Sequence, residues 1–204
     1  DEVEVGAAVS IEDFGNVLIS EYPELREWLK RFGGPQVRCS GTVGGNIANG
    51  SPIGDSSPVL IALGASLKLR SRHAERIIPI EDFFIEYGKQ DLHPNEVLVS
   101  VLVPRRRDIK RLVVEKITKR HDQDISIILA AMVELSGGVS RYRFAFGGMA
   151  GTPMLARKTM ESLNSDDLAS DFSPLSDHRA DAWYRLAVSK NLVDNFLSGS
   201  SLNE

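Results

Sequence analysis

The sequence is organised around residues 41–55, GTVGGNIANGSPIGD. Five glycines, two asparagines, one threonine, one serine and one carboxylate stand here, with too few apolar side chains to fill a core. Glycines let a backbone approach a ligand closely, and successive exposed N–H groups form a concavity suited to phosphate. The stretch therefore predicts a phosphate or cofactor loop, with a long tight turn as the alternative. Neither the Walker pattern nor GxGxxG is present.

Length and composition narrow the class of protein. The 204 residues allow one or two domains with a sizeable core, and 42% hydrophobic with 25% charged residues is ordinary for a globular chain. The net charge of −4 argues against a nucleic-acid surface. No apolar run approaches the roughly 20 residues that cross a membrane, and no signal peptide is recognisable. The start at Asp1, without Met, predicts a fragment.

Cysteine and histidine usage offers no metal site. Cys39 is the only cysteine, so the chain cannot form an internal disulfide or supply the four ligands of an iron–sulfur cluster. A reducing cytoplasm is therefore expected, with Cys39 as a small buried hydrophobe. The four histidines show no metal-ligand spacing with one another or with Cys39.

Apolar periodicity predicts an α+β fold, because strands and helices alternate without a βαβ rhythm. Predicted strands cover residues 3–7, 65–70, 97–103, 111–116 and 141–146. One predicted helix begins after Ser10. The other predicted helices cover residues 22–32, 59–63, 153–163 and 181–197. The basic run 105–108 is predicted to be a solvated loop and is the best domain boundary.

A family resemblance is carried by seven segments in order along nearly the whole chain. They are FGGPQVR at 32–38, the stretch 41–55, PVLIALGA at 58–65, YGKQ at 87–90, KITKR with DIS at 116–126, FGGMAGTP at 146–153, and PLSD with Arg179 and Tyr184-Arg185. In these segments the chain resembles the FAD-binding domain of xanthine dehydrogenases, above all the small subunit of the bacterial two-subunit enzymes, within the molybdenum hydroxylase family.

The resemblance implies a fold and a domain division. Residues 1–106 are expected to form the second half of a vanillyl-alcohol-oxidase/PCMH-type FAD-binding domain. Residues 107–204 are expected to form a small α+β domain of the CO dehydrogenase flavoprotein C-terminal type. The family's first pyrophosphate loop is expected upstream of Asp1, and the segment 161–172 is shorter than its family counterpart.

The resemblance also implies a set of residues that contact FAD. They are Phe32, Thr42, Gly44, Gly45, Asn46, Asp55, Leu98 and Lys116. Phe32 is expected to position the flavin ring by stacking. Lys116 is expected near flavin N1, where a cation favours the anionic reduced form and raises the potential.

Each of these side chains has a simpler interpretation from local sequence alone, and these alternatives stay open. The local alternatives are core packing for Phe32 and Leu98, a strand end for Thr42, a left-handed turn for Asn46, a helix N-cap for Asp55, and solvent exposure for Lys116.

The same resemblance implies a site for NAD at the flavin edge, within residues 117–127. Arg120, Gln123 and Asp124 fall in this segment, and Tyr87 resembles a tyrosine that lines the nicotinamide site. Gln123 departs from NAD-using relatives, which can carry an acid there. The alternative for Tyr87 is a packed surface tyrosine.

The resemblance implies the FAD-binding part of xanthine dehydrogenase. A purine is then oxidised at a molybdopterin centre on a partner chain, and electrons cross two [2Fe-2S] clusters to FAD and then NAD. The expected partners are a molybdopterin-binding large subunit and an iron–sulfur domain, together in a heterotetramer. No acid–base catalytic residue is needed on this chain, because the flavin does the chemistry. Two alternatives remain: the flavin subunit of another molybdenum hydroxylase, acting on CO, an N-heterocycle or an aromatic acyl-CoA, and a flavin-free scaffold.

Overall fold

The computed structural model describes residues 1–137 and 141–199. Its strands are β1 (Glu2–Gly6), β2 (Ser66–Arg70), β3 (Glu75–Pro79), β4 (Phe84–Glu86), β5 (Lys89–Gln90), β6 (Val97–Pro104), β7 (Ile109–Ile117), β8 (Ile128–Leu135), β9 (Tyr142–Gly147) and β10 (Met154–Leu155). Its α-helices are α1 (Ile11–Glu21), α2 (Arg26–Lys30), α3 (Pro35–Ser40), α4 (Val43–Ala48), α5 (Ser56–Leu63), α6 (Ile80–Phe83), α7 (Arg157–Ser162), α8 (Leu168–Asp171) and α9 (Ala182–Ser198). The α+β prediction is confirmed.

The first sheet has the strand order β1-β6-β2-β3, and every pairing is antiparallel. β6 confirms the strong strand signal at 97–103 and lies inside the sheet. Its residues Val101 and Val103 are buried, opposite Leu67 on β2 and Val3 on β1 respectively. Alternating apolar residues thus give this sheet one buried face.

The second sheet has the order β10-β9-β8-β7 and is also antiparallel. β8 is buried on both faces. Leu129, Ala131 and Val133 join the core shared with the first sheet, whereas Ile128 and Met132 join a second core beneath α9. A strand covered on both faces reads as a continuous apolar run, and the sequence has such a run, IILAAMV, at residues 127–133.

Helix α5 lies between the two sheets and is buried along its entire length. It packs against β8 and β9 of the second sheet and against β6 of the first. Gly64 ends the helix in the left-handed conformation (φ 75°), where glycine is unstrained. Because α5 begins at Asp55, this packing fixes the end of the stretch 41–55.

The helix between residues 22 and 32 was predicted as one element and is instead divided. A 3₁₀ helix, Pro23–Leu25, precedes α2, and a further helix, α3, follows Gly33. Gly33 has φ 52°, which breaks the helix, and Pro35 is well suited to the first turn of the next. The prediction of helix after Ser10 is confirmed, since Ser10 caps α1 by accepting from the Asp13 N–H (3.0 Å).

Other local predictions had mixed outcomes. The run 105–108 is a loop between β6 and β7, as predicted. The segment 153–163 was predicted to be helical, but it contains β10 before α7. Cys39 was predicted to be buried and is exposed. Residues 138–140 and 200–204 of the predicted C-terminal domain lie outside the described residues.

Candidate functional site

The glycine-rich stretch, residues 41–55, contains a helix where an open loop was predicted. Thr42 caps α4 by accepting a hydrogen bond from the Gly45 N–H (3.1 Å). Val43 and Ile47 are buried in the core, so the stretch contributes to a core although it has too few apolar side chains to fill one. Helix propensity does not predict α4, because Gly44 and Gly45 each disfavour a helix interior by about 1 kcal/mol.

The first N–H groups of α4 all have partners within the chain. Val43 donates to the carbonyl of Val9 (3.0 Å), and Gly44 donates to the carbonyl of Ala7 (2.9 Å). Gly45 donates to the Thr42 hydroxyl and Asn46 to the Thr42 carbonyl (3.0 Å). The prediction of an open N–H concavity is therefore wrong at this helix start. Any ligand here must be bound by side chains.

Two side-chain donors remain on one face of α4. Thr42 and Asn46 are four residues apart, which places them on the same side, and both are partly exposed. The Asn46 carbonyl oxygen accepts from the Ser56 hydroxyl, which leaves its NH₂ group as a donor. Within the described residues, neither this NH₂ nor the Thr42 hydroxyl proton has a partner. Asn46 is helical, so its interpretation as a left-handed turn residue is wrong.

The two adjacent glycines differ in what surrounds them. A Cβ at Gly44 would lie 2.5 Å from the Ala7 Cβ, so Gly44 is required for packing. A Cβ at Gly45 would meet the Thr42 hydroxyl at 2.9 Å, and Gly45 is otherwise exposed. The bare backbone at Gly45, between two donors, fits the close approach of a polar ligand such as the phosphate–ribityl part of FAD.

Asp55 is the centre of a buried polar cluster, the Asp55 cluster, which also contains Trp28, Arg31, Lys116 and Ser126. Asp55 is only 9% exposed. One of its carboxylate oxygens accepts from the Lys116 ammonium (2.6 Å) and the other from the Ser126 hydroxyl (2.5 Å). Asp55 stands at the N-cap position of α5, as the local interpretation has it, but its carboxylate makes no capping bond to the helix. Both oxygens are used by partners distant in sequence.

Lys116 lies within β7 and is 5% exposed, which excludes the interpretation as a solvent-exposed lysine. Besides Asp55, its ammonium donates to the carbonyl of Arg31 (2.9 Å). The positive charge therefore belongs to a buried ion pair. At the protein surface nearby, the pair acts as a dipole, with a weaker field than an isolated cation.

Arg31 completes the cluster and was not identified from the sequence. Its guanidinium donates to the Lys116 carbonyl (2.7 Å), the Thr118 hydroxyl (3.0 Å) and the His121 carbonyl (3.3 Å). A single arginine near a helix end resembles a solvated surface residue. Only its partners, 85 to 90 residues away in the chain, reveal its role.

The 118–127 loop, which joins β7 to β8, brings three of the predicted NAD-side residues together. Asp124 accepts from the N–H groups of Arg120 (3.0 Å) and Ile125 (3.0 Å), and the bond from Arg120 is the main cause that lowers the pKa of Asp124. The Arg120 side chain is 73% exposed. Gln123 has φ 51°, and its side chain lies against Gly34.

The remaining predicted residues lie in different surroundings. Tyr87, 76% exposed, lies beside Gly151, outside the turn that holds the other three NAD-side residues. Phe32 is buried and makes an edge-to-face contact with Trp28 (centroids 5.7 Å apart). Leu98, on β6 opposite Leu69, is partly buried against the core. Core packing therefore accounts for Phe32 and Leu98 whether or not a ligand is bound.

A cavity of about 330 Å³ lies beside the 118–127 loop. Its lining includes Lys119, Arg179, Trp183 and Tyr184. The exposed Trp183 ring makes an edge-to-face contact with Tyr184 (centroids 6.1 Å apart), and no hydrogen bond or ion pair in the described chain engages the Arg179 guanidinium. Two cations and an aromatic ring suit a negatively charged aromatic molecule.

Metal-ligand clusters and membrane-spanning helices are both absent from the described residues. No group of three or more His, Cys, Asp or Glu side chains there could hold a metal ion. Nor does any helix of residues 1–137 or 141–199 have both the length and the apolar character that crossing a membrane requires.

Both halves of the chain match known families. Residues 1–106 match the family described as "FAD binding domain in molybdopterin dehydrogenase". Residues 115–199 match the "CO dehydrogenase flavoprotein C-terminal domain".

Curated relatives show similar sequences over part of their length. Xanthine dehydrogenase/oxidase of Gallus gallus is 35% identical over 178 residues, which cover 79% of this chain and 13% of that protein. Nicotinate hydroxylase of Emericella nidulans is 37% identical over 142 residues, 66% of this chain and 10% of the relative. The chain thus spans a small part of these longer proteins.

Solved structures show the same fold over nearly the whole chain. Carbon monoxide dehydrogenase from Hydrogenophaga pseudoflava aligns with a TM-score of 0.85 and 29% identity, over 98% of this chain and 75% of that one. Quinoline 2-oxidoreductase from Pseudomonas putida 86 aligns with a TM-score of 0.82 at 21% identity, over 98% of this chain and 74% of that one, and indicates the fold alone.

Proposed function

The chain belongs to the family of FAD-binding domains of molybdopterin dehydrogenases, and from this premise we propose that it is the FAD-binding part of a xanthine dehydrogenase. In this proposal, the chain would hold and orient FAD, which would supply the redox chemistry between two [2Fe-2S] clusters and NAD. The observation that carries FAD binding is the face of α4, where Thr42 and Asn46 flank the bare backbone of Gly45. The identity of 35% to a curated xanthine dehydrogenase/oxidase supports the choice of enzyme.

The residues present fit the cofactor by their chemistry. Thr42 and Asn46 offer hydroxyl and amide donors to polar atoms of FAD, and Gly45 leaves room for its chain. Gly44 allows α4 to pack closely enough on Ala7 to hold that face in place. Bound FAD supplies the two-electron chemistry, whereas the chain supplies orientation and electrostatics.

Asp55, Lys116, Phe32 and Leu98 are proposed to support the flavin from beneath α4. The ion pair of Asp55 with Lys116 (2.6 Å) sets the charge on this side, and Phe32 and Leu98 supply apolar packing. Because the pair is neutral overall, we expect its effect on the flavin potential to be smaller than that of an isolated lysine. Substituting both residues, Asp55→Asn with Lys116→Met, is expected to shift the potential by less than about 30 mV, which corresponds to roughly 1.4 kcal/mol.

The acceptor side is proposed to be the 118–127 loop, with Arg120, Gln123 and Asp124, and Tyr87 nearby in the family pattern. The cavity beside this loop supports a dinucleotide acceptor, because Lys119 and Arg179 suit phosphate and Trp183 suits a base. Arg179→Ala is therefore expected to weaken NADH binding severalfold without loss of FAD.

Partners and location follow as proposals from the family. We propose a molybdopterin-binding large subunit, an iron–sulfur domain on the same or another polypeptide, a heterotetrameric assembly, and a cytoplasmic location. The division into residues 1–106 and 107–204 stays a prediction.

An asparagine-to-aspartate exchange tests FAD binding. Asn46→Asp keeps an acceptor for the Ser56 hydroxyl but replaces the free donor with a negative charge. We expect the FAD affinity of the intact protein to fall by about tenfold or more, measured by titration at flavin absorbance near 450 nm. Asn164→Asp is the matched control, since Asn164 is exposed and its oxygen caps the Asp166 N–H (3.1 Å). Wild-type FAD affinity in Asn46→Asp would contradict the proposal.

A second candidate function is a hydroxylase of an N-heterocycle, favoured by the 37% identity to a nicotinate hydroxylase. Gln123 departs from NAD-using relatives, which can carry an acid there, so the acceptor needs its own test. Anaerobic addition of NADH to the FAD-loaded protein tests the acceptor for either candidate. Rapid bleaching of the flavin supports NAD as the partner, and its absence favours another acceptor.

A further inference from the structure

The 118–127 loop is exposed in its middle and held at both ends. The side chains of His121 and Asp122 are 79% and 77% exposed. By contrast, Ser126 and Ile127 at the end of the loop are buried. The position of the loop therefore depends on what binds its two ends.

At the start of the loop, the binding group is the Arg31 guanidinium. The guanidinium donates hydrogen bonds to three groups: the Lys116 carbonyl (2.7 Å), the Thr118 hydroxyl (3.0 Å) and the His121 carbonyl (3.3 Å). A planar guanidinium with several fixed donors can hold such a set, which a lysine cannot.

At the end of the loop, Ser126 donates to Asp55 (2.5 Å). Beyond that bond, the loop end is bound by the Arg185 guanidinium on α9, whose side chain is 3% exposed. One of its terminal nitrogens donates to the carbonyls of Ile127 and Gly148, the latter at 3.0 Å. The other donates to the Asp177 carboxylate (2.9 Å). The Arg185 Nε is buried and has no protein partner in the described residues.

Gly148 links this second arginine to the glycine-rich stretch. Its N–H donates to the carbonyl of Pro52 (2.7 Å), while its carbonyl accepts from Arg185. Gly148 has φ 83°, and a Cβ there would lie 2.2 Å from the Ile127 carbonyl oxygen. The close contact between these two segments therefore requires a glycine. The loop end and the stretch 41–55 are therefore fixed to the same point.

Stability alone does not account for Arg185. Its neighbours on α9, among them Leu192 and Val193, belong to an apolar core, and its single carboxylate partner is 39% exposed. Replacing a whole buried ion pair with apolar residues of similar volume is often neutral or stabilising, so the pair with Asp177 does not by itself explain Arg185. What an apolar residue cannot do is hold two carbonyls from different segments.

We propose that Arg31 and Arg185 are positioning residues that fix the two ends of the 118–127 loop against the glycine-rich stretch. The exposed middle of the loop is thereby presented to the electron acceptor in one place, a consequence that rests on the proposed function. The fixation itself does not depend on that function.

Limited trypsin digestion of the intact protein tests the proposal, because Lys119 and Arg120 are cleavage sites inside the loop. In Arg31→Met and Arg185→Met, we expect cleavage after these two residues to accelerate by about tenfold or more. Arg185→Lys keeps the charge but not the three-way geometry, so it is expected to lie between wild type and Arg185→Met. The sites are identified by mass spectrometry, and rates are compared at equal distance below each melting temperature.

Arg143→Met is the matched control. Arg143 also binds backbone carbonyls, those of Ile61 (2.7 Å) and Ala62 (3.1 Å), and a carboxylate, Glu81 (2.6 Å), but it does so away from the loop. Loop cleavage in Arg31→Met and Arg185→Met no faster than in Arg143→Met would overturn the proposal. If wild type binds no FAD, the proposed function fails, yet the cleavage comparison still decides whether the two arginines position the loop.

Discussion

The glycine-rich stretch and the 118–127 loop meet where Ser126 donates to Asp55, but they are held by different parts of the chain. In the stretch, backbone groups bind backbone groups, as when Gly44 donates to the carbonyl of Ala7 (2.9 Å). In the loop, the ends are held by the side chains of Arg31, Asp55 and Arg185. Substitution of a polar side chain should therefore disturb the loop more than the stretch, whose sensitive positions are those where a Cβ does not fit.

The largest effect is expected at Asp55, where the two regions meet. Asp55→Ala leaves the Lys116 ammonium buried without a carboxylate, which should cost about 3–5 kcal/mol of unfolding free energy. Urea denaturation measures this loss of unfolding free energy. It is done without FAD, because a bound ligand would raise the apparent stability. The double substitution Asp55→Ala with Lys116→Met should restore much of the loss. A loss of only about 0.5–2 kcal/mol would instead match a helix cap.

The next effect separates the two glycines of the stretch. Gly44→Ala places a Cβ 2.5 Å from that of Ala7, and we expect a destabilisation of about 1–3 kcal/mol. Gly45→Ala meets only the Thr42 hydroxyl and gains helix propensity, so its stability should stay within about 1 kcal/mol of wild type. Thermal melting of both variants measures the difference. Equal losses would show that backbone packing does not distinguish the two positions.

A smaller effect is expected at Gln123 in the loop. Its left-handed backbone (φ 51°) is strained for a residue with a Cβ, so Gln123→Gly should stabilise the protein by about 0.5 kcal/mol after the entropy of glycine is counted. Gln36→Gly, in the first turn of α3, is the control and should destabilise by about 0.5–1 kcal/mol. Denaturant midpoints measure both. Destabilisation by Gln123→Gly would show that side-chain contacts near Gly34 outweigh the strain.

The smallest effect is local and depends on pH. Hydrogen bonds, first of all from the Arg120 N–H, lower the folded pKa of Asp124 below its ordinary value of 3.8. Its contribution to loop order is therefore complete above that ordinary value and is lost as the pH falls through the lowered pKa. Amide exchange at Arg120 and Ile125 should accelerate there, beyond the intrinsic pH dependence, without a comparable change in the core. In Asp124→Asn this extra acceleration should disappear, and its persistence would assign the titration to another group.

Local patterns predicted the elements whose causes are local. The cap at Ser10, the apolar run of β6 and the helical spacing of α9 all lie within one element, and all three were confirmed. Helix α4 was missed because its two glycines are unfavourable for a helix, and the need for Gly44 appears only in the close approach of Ala7.

The sequence selected candidate site residues but could not give the contacts between them. The resemblance selected Asp55 and Lys116 separately, whereas the structure joins them across 61 residues. Local sequence placed Asp55 correctly at the start of α5, but its carboxylate binds distant partners and makes no capping bond, and Lys116 is buried where an exposed lysine was the alternative. Arg31 and Arg185 were not selected as site residues, since a buried arginine that binds carbonyls has the same local sequence as a solvated one.

Helix α5 has a consequence for the ancestry of the chain. Its eight residues belong to the segment 1–106 that matches one family, yet they are covered by β8 and β9 from the segment 115–199 that matches the other. A recombination event near residue 106 that replaced one segment would leave an apolar helix facing an unrelated surface. The two segments are therefore expected to be inherited together, and substitutions on α5 to be matched by compensating changes on β8 and β9.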